Sequence, residues 1–409
     1  MAREFKELIV GLDIGTAKVS CLVAEARSDG QINVLGIASQ PATGLKRGVV
    51  VNIEATVDAI ARVLQEVEAM AECKIHETYT GLAGNHIKSF NSSGTVAVKD
   101  KEVRSDDVAR VIEVARAMPI PAEQQILHIL TQEFIIDGQG GVREPIGMSG
   151  VRLEVKVHIV TGATSAAQNV IKCVRRCGLE VMDLSLQPLA SSHAVLTEDE
   201  KELGVCMVDI GAGTTDIAVF TQGAIRHTAV LPVAGDQITN DIAMALRTPT
   251  PEAEEIKIRH GVTMHQLVDD DDTIEVPGVG DRPPRRLSRH ALADVIAPRV
   301  TELFELVQDE LRRSGYEELL SSGIVLTGGS ATMRGMVELA EEIFHMPVRV
   351  GAPIYHAELA DVVVQPGHAT VFGLVLEGVA QRRRGLQTRE RGGVSGFFSG
   401  LKSWFARNF

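Results

Sequence analysis

The sequence predicts an α/β protein of two lobes, with a small α+β unit inserted into the first lobe and an amphipathic helix at the end of the chain. Three observations predict it. Two apolar runs far apart in the chain, one from Leu8 to Lys18 and one from Val205 to Phe220, each pass through Asp-Ile-Gly before resuming as apolar sequence. Each reads as a hairpin with a small polar tip: Asp13, Gly15 and Thr16 in one, Asp209, Gly211, Gly213 and Thr214 in the other. A third run, Ser322 to Ala331, carries a buried strand into Thr327-Gly328-Gly329-Ser330. Glycine lets a backbone come close to a bulky anion. Exposed amides and threonine hydroxyls then donate to phosphate oxygens. An Asp at each tip suits a hydrated Mg²⁺, which prefers carboxylate, water and phosphate oxygen. The paired glycines leave room for a flat base or ribose.

The elements follow in order. Residues 7–40 read as a strand meander turning at Ser28, Asp29 and Gly30. Val57, Ile60, Ala61, Leu64, Val67 and Ala71 recur at helical spacing. Residues 84–162 read as a separate strand, helix, strand, strand unit. It has a turn at Asn91–Gly94, a helix capped by Ser105, Asp106 and Asp107, a stop at Met118-Pro119-Ile120-Pro121, and strands near 126–136 and 151–161. A helix over 165–177 and a strand over 180–186 return to the first lobe. The second lobe begins near Glu202, with a helix to Leu246 after Ala234-Gly235. Residues 269–286 read as a solvated loop; their four consecutive Asp lack the alternating oxygen ligands of a Ca²⁺ loop. A long helix covers 289–314. The expected division is 1–83, 163–201 and 355–380 for the first lobe and 84–162 for its insert. The second lobe takes 202–227 and 306–354, with an outer subdomain over 228–305.

Composition fits this plan. The chain has 409 residues, 44% of them hydrophobic, enough for two cores. Only 4% are aromatic, so those cores are aliphatic. Five scattered cysteines suggest reduced core thiols and a cytosolic compartment. The net charge of −13 argues against nucleic acid as a partner. No apolar run reaches membrane-spanning length.

Residues 381–409 depart from the rest, with seven basic residues against Glu390 alone. Residues 381–395 read as a flexible linker. Within 396–409, Phe397, Phe398, Leu401, Trp404, Phe405 and Phe409 share one helical face, flanked by Lys402 and Arg407. A docked C-terminal helix is one reading. A helix lying in the interface of an anionic membrane suits the composition better.

The three nucleotide signals resemble the ATPase core shared by actin, the heat-shock chaperone ATPases and the sugar kinases. With the insert at 84–162 and the tail, essentially the whole chain resembles the FtsA family of bacterial cell-division proteins. The resemblance implies an actin-like (ribonuclease H-like) fold that binds ATP and Mg²⁺, with weak hydrolysis or none. It assigns Asp13, Gly15, Thr16 and Lys18 to the first phosphate hairpin. Asp209, Gly211, Gly213, Thr214 and Thr215 form the second. Asp13 and Asp209 hold Mg²⁺, mostly through water. Gln187 stands where a residue helps orient the attacking water, so Asp209 and Gln187 are the catalytic candidates. Gly235 approaches the phosphates, Glu254 and Lys257 contact ribose and adenine, and Gly328, Gly329 and Ser330 form the adenosine turn. The implied partners are the tail of the tubulin-like FtsZ, with Arg299 and Glu302 as candidate contacts, further copies of the chain, anionic lipid, and other division proteins reached through 84–162. The implied location is the cytoplasmic side of the inner membrane at the septum. A sugar or glycerol kinase and the pilus-assembly relative are the competing readings. The first lacks a visible substrate-pocket insertion, and the second has no use for the tail.

Overall fold

The computed structural model describes residues 8–27, 31–280 and 282–390, with side chains up to residue 383. The first lobe opens with β1 (Leu8–Ile14), β2 (Lys18–Ala26) and β3 (Ile32–Pro41) as an antiparallel meander. A two-residue pairing follows, β4 (Leu45–Lys46) with β5 (Val49–Val50), then α1 (Ile53–Ala71) and β6 (Glu77–Leu82). Asn52 caps α1, its Oδ1 accepting from Ala55 N. Its apolar face, through Ile60, Val63 and Val67, lies fully buried on the sheet.

The insert comprises β7 (Lys88–Ala97), α2 (Ser105–Arg116), β8 (Gln124–Ile136), β9 (Gln139–Val142) and β10 (Arg152–Ala163), in the sheet order β7-β10-β8-β9. The expected turn at Asn91–Gly94 is instead the middle of β7. Gly94 is there because α2 crosses the sheet at that point. A Cβ on it would stand 2.3 Å from Val111 O. The chain returns through α3 (Thr164–Arg176), β11 (Glu180–Leu186), α4 (Gln187–Val195) and α5 (Glu198–Leu203).

The second lobe repeats the first. It carries β12 (Val205–Ile210), β13 (Thr215–Thr221) and β14 (Ala224–Leu231), then α6 (Gly235–Leu246), α7 (Thr250–His260), β15 (Thr273–Val276), β16 (Arg285–Ser288), α8 (Arg289–Ser314), β17 (Ile324–Thr327), α9 (Met336–Phe344) and β18 (Val348–Val350). The expected loop over 269–286 contains the β15–β16 hairpin, because Ile274 and Val276 alternate into the core. The chain closes with α10 (Ala360–Val363) and α11 (Ala369–Glu390). α11 overruns the start of the expected linker by ten residues. The stretch is rich in Arg and Gln, which favour helix, and Gln381 Nε2 donates to Asp183 Oδ2 at 2.5 Å.

The two main sheets have the same plan. Read from the meander edge, one runs β3-β2-β1-β6-β11 and the other β14-β13-β12-β17-β18. In each, the first strand pairs antiparallel with the second and parallel with a later one. α1 and α3 cover the outer face of the first sheet, and α6, α8 and α9 that of the second. Between the sheets, α4 and α11 share one core with both, through Ile9, Leu22, Ala190, Met207, Val325 and Phe372. That sandwich places the two hairpin tips opposite one another.

The insert touches the second lobe through a polar seam. Ser89 Oγ donates to Thr228 O at 2.8 Å, and Gln132 Nε2 to Ile225 O at 3.0 Å. His158, almost fully buried, donates from Nδ1 to Asn91 Oδ1 (2.8 Å) and accepts at Nε2 from the Thr228 hydroxyl (3.0 Å). Burial, with His227 adding to it, pushes its pKa down to about 3, so the ring is neutral.

Candidate functional site

A cleft of about 660 Å³ opens between the lobes, floored by the two hairpins. The hairpins turn alike. Gly15 N donates to Lys18 O at 3.0 Å, and Gly211 N to Thr214 O at 3.1 Å. They also meet tip to tip, since a Cβ on Gly213 would stand 2.6 Å from Thr16 Oγ1 and 2.9 Å from Arg47 Cα. Thr16 Oγ1 accepts from Gly48 N at 3.0 Å, which fixes the hydroxyl at this junction.

Carboxylates gather beneath the tips. Asp13 and Asp209 each lie one residue before the end of their strands, β1 and β12, and both are buried and line the cleft. Gln187 Nε2, at the start of α4, donates to Asp13 Oδ1 at 2.8 Å. Ser191 Oγ donates to Asp209 Oδ2 at 2.7 Å and contacts Thr370 Oγ1 at 3.0 Å. Burial outweighs the attraction of Lys18 and, with Asp209 nearby, raises Asp13 to about 7. Burial likewise raises Asp209 and lowers Lys18. Asp216 is a third acid on this wall, raised to about 8 by burial and then by Asp209. Its Oδ2 accepts from Thr214 Oγ1 at 3.1 Å, while its Oδ1 is buried with no donor. A buried carboxylate oxygen without a donor is costly, so the carboxyl keeps its proton near neutral pH; a cation in the cleft would favour the ionised form.

The paired glycines close the far side. Gly328 adopts φ +87°, and a Cβ there would meet Asp209 Oδ1 at 2.4 Å, so only glycine fits. Gly329 faces open space. Ser330 Oγ donates to Gly211 O at 3.0 Å, tying this turn to the second hairpin. Lys257 is buried, donating to Gly235 O (3.2 Å) and Thr239 Oγ1 (2.9 Å) and pairing with Glu254 at 2.7 Å.

Of the residues expected from the sequence, Asp13, Gly15, Thr16, Lys18, Gln187, Asp209, Gly211, Gly213, Thr214, Glu254, Lys257, Gly328, Gly329 and Ser330 all line this one cleft. Thr215 and Gly235 do not. Thr215 is fully buried and donates to Val233 O at 2.7 Å. Gly235 backs the wall, 2.6 Å from Ser330 Oγ were it given a Cβ. The cleft also takes residues not anticipated: Asp216, the arginines Arg259, Arg289 and Arg334, and Gly367 and Thr370 ahead of and within α11. Arg299 and Glu302 lie on α8, paired with each other, and Arg299 also grips Asp241 of α6 at 2.6 Å. The tail residues 396–409 lie outside the described residues.

A family model described as "Cell division protein FtsA" matches residues 206–373, and a second, "SHS2 domain inserted in FTSA", matches 84–161. "Cell division protein FtsA" of Pseudomonas aeruginosa is 58% identical over 98% of both chains. That of Escherichia coli K12 is 44% identical over 99% of both. The chain belongs to the FtsA family of cell division proteins. Solved structures agree on the actin-like fold. The PilM-PilN type IV pilus biogenesis complex superposes with TM-score 0.65 at 19% identity, over 91% of this chain and 98% of that one. MreB5 of Spiroplasma citri bound to ADP gives 0.53 at 16% identity, over 95% and 99%. At such identities these show fold alone. The FtsA family match, covering nearly the whole chain, therefore replaces the sugar-kinase and pilus-assembly alternatives. Among the described residues no helix is long and apolar enough to cross a membrane.

Proposed function

We propose that this FtsA-family protein binds ATP with Mg²⁺ in the interlobe cleft, assembles with further copies of itself, and ties FtsZ filaments to the inner face of the cytoplasmic membrane at the septum. The observation that carries the nucleotide reading is the meeting of two glycine hairpins over a shared group of buried acids. Thr16, Gly213 and Thr214 would turn backbone amides, and Thr16 its hydroxyl, toward phosphate, while Gly15 and Gly211, whose amides close the two hairpins, let the phosphate come close. Lys18 adds positive charge beside them. Asp13 and Asp209 would hold Mg²⁺, mostly through water, and the Oδ1 of Asp216, buried without a hydrogen-bond partner, supports that reading. When bound, the ion neutralises phosphate charge. Gln187 sits beside Asp13 and is the residue to orient a water. Gly329 and Ser330 support the adenosine, with Glu254 and Lys257 at its edge. Hydrolysis is weak or absent, and the nucleotide chiefly governs assembly.

The membrane reading rests on sequence. Phe397, Phe398, Leu401, Trp404, Phe405 and Phe409 would each contribute roughly 1 kcal/mol or more on burial in an interface. Lys402 and Arg407 would add about 1 kcal/mol each on anionic lipid. Ordering a short helix opposes this. One tail is therefore a modest, reversible anchor, and a polymer presenting many tails holds far better. Recruitment of later division proteins runs through 84–162.

Two variants test the halves separately. Gly329→Asp sends a carboxylate into the cleft and should abolish binding of a fluorescent ATP analogue; undiminished binding would sink the site assignment. Trp404→Glu should keep nucleotide binding and lose co-sedimentation with anionic vesicles. Retained co-sedimentation would make the tail a docked structural helix.

A further inference from the structure

Away from the cleft, the outer subdomain of the second lobe carries two histidines that the nucleotide reading does not use. His265 lies in the 3-10 turn His265–Leu267 after α7, and His290 lies in the first turn of α8. Their Nδ1 atoms are 3.2 Å apart, and the rings are nearly parallel, at 14°, with centroids 5.3 Å apart. Each ring turns its other nitrogen toward a carboxylate. His265 Nε2 is 2.6 Å from Asp294 Oδ1. His290 Nε2 is 3.4 Å from Asp270 Oδ1, an ion-pairing distance, and makes no hydrogen bond.

The spacing constrains the protons. A ring nitrogen 2.6 Å from a carboxylate carries the hydrogen, which leaves the lone pair of a neutral imidazole on Nδ1. In the same tautomer of His290, Nε2–H would face Asp270 at ion-pairing distance only. Two lone pairs would then face each other at 3.2 Å, an arrangement that calls for a positive charge between them. A metal bound to both Nδ1 atoms at the Zn–N length and the tetrahedral angle would hold the nitrogens about 3.3 Å and the ring centroids about 5.2 Å apart. The observed distances match both. Carboxylates behind ligating histidines are the usual outer partners of such a metal, fixing the tautomer and raising ligand basicity.

We propose that His265 and His290 form a two-histidine site for a borderline transition-metal dication, Zn²⁺, Ni²⁺ or Cu²⁺, bound through both Nδ1 atoms. Imidazole nitrogen suits these ions, whereas Mg²⁺ and Ca²⁺ take oxygen. Among the described residues no group of three or more His, Cys, Asp or Glu is arranged about one point, so water completes the shell. The site is therefore open and exchanges readily. His265 is half exposed, and Asp270, in the acidic run 269–272, is fully exposed, so approaching cations meet a negative rim. The bound ion would clamp the turn after α7 to the start of α8. Arg289, the neighbour of His290, lines the cleft and pairs with Asp272, so the clamp lies next to one cleft wall.

The test uses the full untagged chain with Mg²⁺ in excess, so that carboxylate sites are filled. Calorimetry with Zn²⁺ should show one equivalent, and Cu²⁺ should give an electron paramagnetic resonance spectrum with two imidazole nitrogens. His265→Gln and His290→Gln should each weaken Zn²⁺ binding at least tenfold, and Asp294→Asn by about tenfold. Zn²⁺ should also raise the melting temperature of the parent chain, a reading that needs no variant. The proposal falls if the parent and the double variant titrate alike, if Cu²⁺ shows a single imidazole nitrogen, or if Zn²⁺ leaves the parent's melting unchanged. The histidines would then simply share a proton.

Discussion

Gly213 and Thr16 face each other across the cleft so closely that a methyl group on the glycine would stand 2.6 Å from the threonine hydroxyl oxygen. The two lobes are thus held apart by the bare backbone of one hairpin resting on the side chain of the other. Arg47 Cα, 2.9 Å from the same point, blocks escape on the other side.

Gly213→Ala should therefore force the tips apart. The bond from Gly48 N holds the Thr16 hydroxyl in place, and the backbone at Arg47 cannot move aside. Affinity for an ATP analogue should fall at least tenfold, or about 1.4 kcal/mol. Equilibrium titration measures it, and an unchanged dissociation constant would mean that the tips do not act together.

Asp216 gives a pH dependence with a definite sign. Its pKa rises from 3.8 to about 8 in the folded protein, so between those values the native state holds a proton that the unfolded chain has released. Its contribution is fully present below pH 3.8 and is lost as pH rises toward 8. Without nucleotide and Mg²⁺, Asp216→Asn should gain in melting temperature over the parent as pH rises. A difference that stays flat or shrinks would contradict the assignment.

His158 works in the opposite direction. Its pKa falls from 6.5 to about 3, so the unfolded state binds the proton first, and stability is lost as pH falls through that window. The loss is at most about 1.4 kcal/mol per pH unit. His158→Gln cannot titrate, so its urea midpoint should fall less than the parent's on acidification. Hydrogen exchange along β14 should rise in the parent first, because the protonated Nε2 no longer accepts from the Thr228 hydroxyl.

Arg299 offers a test of the outer subdomain. It holds Asp241 as well as Glu302, so Arg299→Glu would set three acids together, and Arg299→Gln is the cleaner variant. It should cost about 0.5–1 kcal/mol of stability, since the pair is only partly buried. Binding of an FtsZ tail peptide should weaken several-fold. Unchanged binding by a folded Arg299→Gln protein removes this helix face from the contact.

The hairpins were legible because the same Asp-Ile-Gly break recurs in two distant apolar runs, whereas one Asp-x-Gly alone is a common turn. The insert was legible because its helix has both a cap and a proline stop. Gly94 misled because a glycine needed for helix–sheet approach looks, in sequence, like a turn glycine. The β15–β16 hairpin hid because only Ile274 and Val276 mark it within a charged stretch. In the cleft, Asp216 lies inside the second hairpin, but the sequence gives no sign of which way it points. Arg259, Arg289 and Arg334 come from separate elements and converge only in the folded chain. Gly367 and Thr370 precede and open a helix whose inner position depends on both sheets.

That helix has a mechanical consequence. α11 begins beside the cleft, where Thr370 forms part of the wall, and runs unbroken to Glu390, from which the chain continues into the aromatic tail segment. Its 22 residues make a strut about 33 Å long. A strut without a joint acts as a lever. A tilt of roughly 10° where it touches the cleft would sweep its far end by about 6 Å over that length. The cleft wall and the last described residue thus stand at opposite ends of a single helix.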